Sequence, residues 1–167
     1  MEDVLLESGP IQLRPATIHD LELLMAWRSH PEVYRHFSVQ NRPLHWDEHY
    51  KFWTTRKNRL DWIIYYTDDT GTRKVGSVNI THLSDEVPEI GVFIGEVTLM
   101  GRGIGKQSVK MALNWLRSNG YSRVLAHISK ANNRSQRLFA SLGFIQCKDA
   151  QNGGDLLFEK ILDESGK

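Results

Sequence analysis

Between Gly101 and Lys106 the chain reads GRGIGK, directly after an apolar run at Val87 to Ile94 and at the entry to a helical pattern extending to about Asn119. Glycines spaced in this way at a helix start suit a phosphate. The N–H groups of a first helical turn lack intrahelical partners and sit at the positive end of the helix dipole, so a pyrophosphate can accept several hydrogen bonds at once. Gly101, Gly103 and Gly105 allow close backbone approach, and Arg102 and Lys106 add positive charge. Residues 101–106, Ile104 included, are therefore the candidate phosphate-binding loop. The dinucleotide fingerprint is excluded, because its third glycine position, the one after Gly105, holds Lys106. A nucleotide triphosphate loop is excluded too: Gln107 stands where Ser or Thr is needed, and Met100 where the earlier glycine belongs. On these residues alone, a glycine turn without a ligand stays open.

A second segment, Asn132 to Phe144 (NNRSQRLFASLGF), follows a β-type run at Arg123 to Ser129. Together the two segments resemble the GNAT acetyltransferase superfamily. That family has an x-x-G-x-G/A loop at a helix start, then a strand and a helix that begins with Asn and ends in Leu-Gly-Phe. The counterparts here are Gly103 and Gly105, then Asn132 and Leu142-Gly143-Phe144, and the resemblance covers residues 11 to 162.

The elements that must hold these segments can be followed along the chain. Ile11 to Arg14 reads as a strand, and Thr17 with Asp20 forms a capping-box start for a helix whose apolar face is Ile18, Leu21, Leu24 and Met25. Pro31 ends that helix. Trp46, Tyr50 and Trp53 fall at helical spacing in a second helix from about His45 to Lys57. Trp62 to Thr67 and Val75 to Thr81 are β-rich runs joined by a turn at Asp68 to Gly71. Two last strands, Ile145 to Ala150 and Asp155 to Leu162, flank Asn152-Gly153-Gly154. This order predicts a mixed α/β sheet with helices on both faces, in a domain spanning 11–162 between an N-terminal extension (1–10) and a short tail (163–167). GNAT domains have the same order.

The resemblance implies direct transfer of acetyl from acetyl-CoA to a primary amine, which needs a proton acceptor, donors to the oxyanion and a proton for the leaving thiolate. It also implies that backbone groups of Phe93, Ile94 and Gly95 pair with the pantetheine arm and polarise the carbonyl, with Asn132 contacting the same arm. As an alternative, Asn132 serves only as a helix N-cap. For the base, Glu89 is the first candidate, as a carboxylate on the strand entering the site, and His82 the second, as a group titrating near neutrality. Many relatives carry Tyr seven residues after the Asn to protonate the thiolate. Here that position is Phe139, so Ser135 or a water is expected to supply the proton. Cys147 has no base nearby in sequence, and an acetyl-enzyme is not expected.

WRSHPEV and EHYKFW in the N-terminal half resemble the branch containing ribosomal-protein-alanine and UDP-amino-sugar acetyltransferases, as does Met100 before the glycine loop. The amine is accordingly expected on a nucleotide-linked amino sugar, with Arg28 meeting a diphosphate and Trp46 or Trp53 stacking on a ring; alternatively Trp27, Trp46 and Trp53 are core-facing helix residues. A protein N-terminus or a polyamine is the alternative acceptor, and a catalytically weak acyl-CoA-binding module the alternative class. HWDEH at His45 to His49 matches an inverted zinc-protease pattern, but without a further carboxylate motif it is set aside and no metal is expected.

Composition agrees with small, local partners. Of 167 residues, 21 Lys and Arg against 20 Asp and Glu give no cationic field for nucleic acid or membrane. No run reaches membrane-spanning length and residues 1–10 lack a signal-type core, so a cytoplasmic protein is expected, with a homodimer left open. One cysteine excludes an internal disulfide.

Overall fold

A computed structural model describes residues 4–37, 40–148 and 155–162. Eight strands form one mixed sheet in the order β1-β2-β3-β4-β5-β6-β8-β7. They are β1 (Leu6–Ser8), β2 (Ile11–Pro15), β3 (Arg59–Asp68), β4 (Gly71–Thr81), β5 (Glu89–Ile94), β6 (Arg123–Ser129), β7 (Ile145–Lys148) and β8 (Asp155–Ile161). The helices are α1 (Leu21–Arg28), α2 (Pro31–Tyr34), α3 (Trp46–Thr55), α4 (Ile104–Ser118) and α5 (Asn133–Ser141). All ladders are antiparallel except β5 with β6. That crossover contains α4, as a parallel connection requires.

Alternation along β3 divides the core between the two faces. Trp62 and Ile64 point to the side of α4 and α5, where they share a cluster with Val109, Leu116 and Phe139. Ile63, between them, points to the other side and packs with Leu21, Leu24, Trp27 and Trp53 of α1 and α3. Helices on both faces follow from this pleat, as the sequence pattern predicts.

Several local expectations are met by specific contacts. Thr17 and Asp20 form the reciprocal capping box, and Asp20 is also held by Lys74 at 2.6 Å. The entry is a 3₁₀ turn at Ile18–Asp20, however, and it leaves Ile18 exposed; the buried face of α1 is Leu21, Leu24 and Trp27. Pro31 stands at the first position of α2, where its missing N–H costs nothing. Leu6–Ser8 joins the sheet through β2, and Val4 accepts a bond from Trp62 Nε1 at 2.9 Å, so part of the expected extension belongs to the fold. The expected turn at Asn152 to Gly154 lies outside the described residues. No described helix is long and apolar enough to cross a membrane.

Candidate active site

The β5–β6 ladder has a single register pair, Glu89 with Leu125, reinforced by Leu125 N–H donating to Pro88 O at 2.9 Å. Beyond it, Val92, Phe93 and Ile94 of β5 line a cavity of about 310 Å³ whose far wall is α5. At the end of β5, Gly95 N–H and Glu96 N–H both donate to Val75 O, at 2.8 and 3.1 Å, which turns the chain out of the sheet. Trp27 fixes this turn: its Nε1 donates to Glu96 Oε1 at 3.2 Å, and a Cβ on Gly95 would lie 2.2 Å from its ring.

The chain then reaches α4 through Gly101 and Gly103, with φ of +75° and +82°. Gly103 is the N-cap, and Gln107 N–H to Gly103 O at 3.0 Å opens the helical ladder. The N–H groups of Ile104, Gly105 and Lys106 precede that bond at the positive end of the dipole. Gly101, Gly103, Ile104, Gly105 and Lys106 all line the cavity. From the opposite wall Arg134 and Arg137 add charge, and no described carboxylate lines this space. Helix terminus, cations and apolar walls together fit a pyrophosphate followed by an uncharged arm.

Asn132 and Ser135 complete the cavity on the α5 side. Asn132 caps the helix by accepting from Ser135 N–H at 3.1 Å, so capping and lining coexist in one residue. Phe139 is buried against Phe144, their ring centroids 5.0 Å apart, and takes part in the core rather than the cavity. Cys147 is exposed on β7 and lines neither cavity.

Four of the expected site residues sit elsewhere. Arg102 is exposed on the loop and Gly95 lies beneath Trp27, so neither lines the cavity. Glu89 starts β5, at the closed end of the cleft, about 16 Å from its open end at 3.3 Å per residue. There it pairs with His127 at 3.0 Å. His82 is exposed beyond β4 and pairs with Asp85 at 2.7 Å. Neither expected base therefore lines a cavity, because each is placed at the strand end away from the glycine loop.

A second cavity, of about 410 Å³, adjoins the first and shares Phe37 and Phe93 with it. Its walls come from α1, α3, β3 and β4, among them Arg28, His49, Phe52, Trp53 and Asn79. Its two carboxylates are both engaged. Asp61, buried, is bound by Arg59 at 2.7 Å and Arg56 at 3.1 Å, and Glu48 by Arg42 at 2.9 Å. Arg28 has no ion pair among the described residues, only a 3.5 Å bond to Gln40 Oε1 and the face of Phe37 at 5.4 Å. Burial and then Arg59 pull its guanidinium below its ordinary value, with Asp61 opposing. Among the described residues, Arg28 is thus a cation of this cavity without a direct ion pair, felt by Asp61 only at longer range. Trp53 is buried, whereas Trp46 and Tyr50 lie exposed on the outer face of α3.

His49 is buried beside Arg28, and its Nε2–H donates to Leu21 O at 2.8 Å, which leaves Nδ1 unprotonated and without a partner among the described residues. Burial, with a smaller push from Arg28, holds its pKa below the ordinary 6.5 despite the bond to Leu21. His36, on the wall of the first cavity, is lowered as well, first by burial and then by Arg35 and Arg134. A histidine with a depressed folded pKa stays neutral in the fold while the unfolded chain takes up a proton. Its contribution is therefore complete above about pH 6.5 and is lost as pH falls from there through the folded pKa. We expect the thermal midpoint to drop as pH falls below about 6.5, and to drop less in His49→Gln, whose amide can still donate to Leu21 O. Equal slopes in calorimetric scans of both proteins would remove His49 as a cause.

Residues 11–145 match the acetyltransferase (GNAT) domain family. The chain belongs to it. An uncharacterized protein of Methanocaldococcus jannaschii is 49% identical to this GNAT domain over 142 residues, which is 85% of this chain but only 29% of that protein's length. The crystal structure of a domain from the same organism superposes with a TM-score of 0.88 at 45% identity, covering 92% of this chain and 99% of that one. Spermidine N-acetyltransferase from Vibrio cholerae, solved in complex with CoA and spermine, shares the fold at 14% identity (TM-score 0.74, covering 94% of this chain and 98% of that one). For the GNAT domain described here, the cleft beside β5 and the α4 N-terminus has the make-up that a CoA donor requires.

Sequence reasoning missed Phe37, His36, Arg134 and Arg137 as cavity residues. The two arginines carried a signal, since they fall at positions two and five after Asn132 on a helix already assigned to the donor. Phe37 carried none, because it follows a four-residue helix that packs on α1 and its ring meets β5 only through Phe93.

Proposed function

We propose that this chain transfers acetyl from acetyl-CoA directly to a primary amine carried by an anionic acceptor, a nucleotide-linked amino sugar being the favoured kind. The observation that carries the reading is Arg28, a half-buried cation without an ion-pair partner among the described residues, in a cavity whose carboxylates are both taken by arginines. A phosphate or diphosphate would supply the missing charge. A polyamine would meet the opposite condition, since it needs free carboxylates and would bring like charge toward Arg28. The same chemistry makes the spermidine acceptor of the Vibrio relative a poor guide to this cavity.

In this reading the pyrophosphate lies on the α4 N-terminus beside Lys106 and Arg134, and the thioester reaches the end of β5, where backbone groups of Phe93 and Ile94 polarise its carbonyl. His49, neutral and with an enclosed Nδ1 that has no partner among the described residues, takes the amine's proton through water. Ser135, with Asn132, donates toward the departing sulfur.

The test is thiol release from acetyl-CoA with three acceptors: a UDP-linked amino sugar, an alanyl peptide and spermidine. The sugar nucleotide should turn over at a kcat/KM at least about tenfold above the other two. Preference for spermidine would overturn the acceptor assignment. Binding of acetyl-CoA with no turnover of any amine would make the chain a binding module.

A further inference from the structure

We propose that Phe37 sets the length of acyl chain the donor can carry, by closing the passage between the two cavities. The inference rests on the reading of the first cavity as the CoA site. Phe37 and Phe93 are the residues common to both cavities, so an acyl group presented to the acceptor must lie against their rings. The rings meet edge to face, with centroids 5.9 Å apart and planes at 83°.

The two are not equally free to move. Phe93 is boxed in from behind by Trp27, edge-on at 6.3 Å, and Trp27 is itself only 5% exposed and packed onto Gly95. Phe37 follows α2, held by its N–H donating to Tyr34 O at 2.9 Å, by the edge contact to Phe93 and by the Arg28 guanidinium over its face. It is half-buried, and Val33 and Leu99 close the donor cavity around it. An acetyl methyl ends at this pair of rings. Each further methylene must displace Phe37, because Phe93 cannot retreat into Trp27.

The reaction is the same for any acyl length: the C–S bond breaks as the C–N bond forms, and the proton lost by nitrogen ends on sulfur. Only volume changes. One methylene in a shaped apolar pocket is worth roughly 10- to 200-fold.

Titration calorimetry with CoA, acetyl-CoA and butanoyl-CoA tests this without an acceptor. The native protein should bind butanoyl-CoA at least about tenfold more weakly than acetyl-CoA. In Phe37→Ala that gap should close to within about twofold, each acyl-CoA being compared with the same variant's affinity for CoA. Phe37→Trp should widen it. If Phe37→Ala does not fold, Phe37→Leu carries the same test, with a partial closing of the gap expected. Equal binding of the two acyl-CoAs to the native protein, or a gap that survives in a folded Phe37 variant that still binds CoA, overturns the proposal and leaves the CoA site standing. Failure of CoA to bind the native protein overturns both.

Discussion

Gly105→Val should lower affinity for coenzyme A by about 100-fold or more while leaving the fold intact. A Cβ at position 105 would lie 3.4 Å from Leu138 Cδ1 and 3.8 Å from both Ile94 Cγ1 and Val92 Cγ2, ordinary contact distances, and the backbone there needs no positive φ. The protein itself therefore tolerates a side chain, and glycine is in any case a poor helix former. The two methyl groups of valine would instead extend into the space between β5 and α5. They would stand over N–H groups that precede the helical ladder, where a pyrophosphate must come within hydrogen-bond distance. Gly105→Ala should fall between. Calorimetric titration with CoA, alongside thermal melts, checks the prediction: unchanged affinity in a folded valine variant would remove the phosphate site.

Arg28→Ala should raise the KM of a nucleotide-linked amino sugar by about 100-fold, equivalent to roughly 3 kcal/mol, with CoA affinity unchanged. The size follows from desolvation. A guanidinium without a counter-ion in a half-buried wall interacts with an arriving anion far more strongly than a surface arginine would. Arg28→Lys should recover only part of the loss, because an ammonium cannot present the planar fork to two phosphate oxygens. A KM within about threefold of the native value would show that the acceptor's charge is met elsewhere.

Much of this arrangement is written in short patterns. The capping box at Thr17, the turn at Asp68 to Gly71 and the glycine loop before Ile104 are local instructions, and each appears where the sequence reading puts it. Asn132 was legible as a cap for the same reason, and it also lines the first cavity. What depended on register or on packing was not legible. Glu89 and Ile94 belong to one strand, and nothing in the run of residues from 87 to 94 tells which end lines the cavity. Pairing with Leu125 decides it. Trp46, Tyr50 and Trp53 share helical spacing, yet the core takes His49 and Trp53 and leaves the other two outside, because α3 rests on α1 through the bond from His49 to Leu21. Phe139 reads as a lost proton donor in sequence and is a core residue in the fold, closed off by Phe144.

The single register pair between β5 and β6 has a consequence for stability as well as for binding. Past Glu89 the sheet contains an edge in its own interior, a row of main-chain groups that a neighbouring strand would ordinarily satisfy. An extended ligand with amides of its own could stand in for the absent strand, and its binding would then complete the sheet. The empty protein should then be the less rigid one around residues 91–94. At a donor concentration 100 times Kd, mass action adds about 2.7 kcal/mol to the fold. A chain built in this way reports the supply of its donor through its own cohesion.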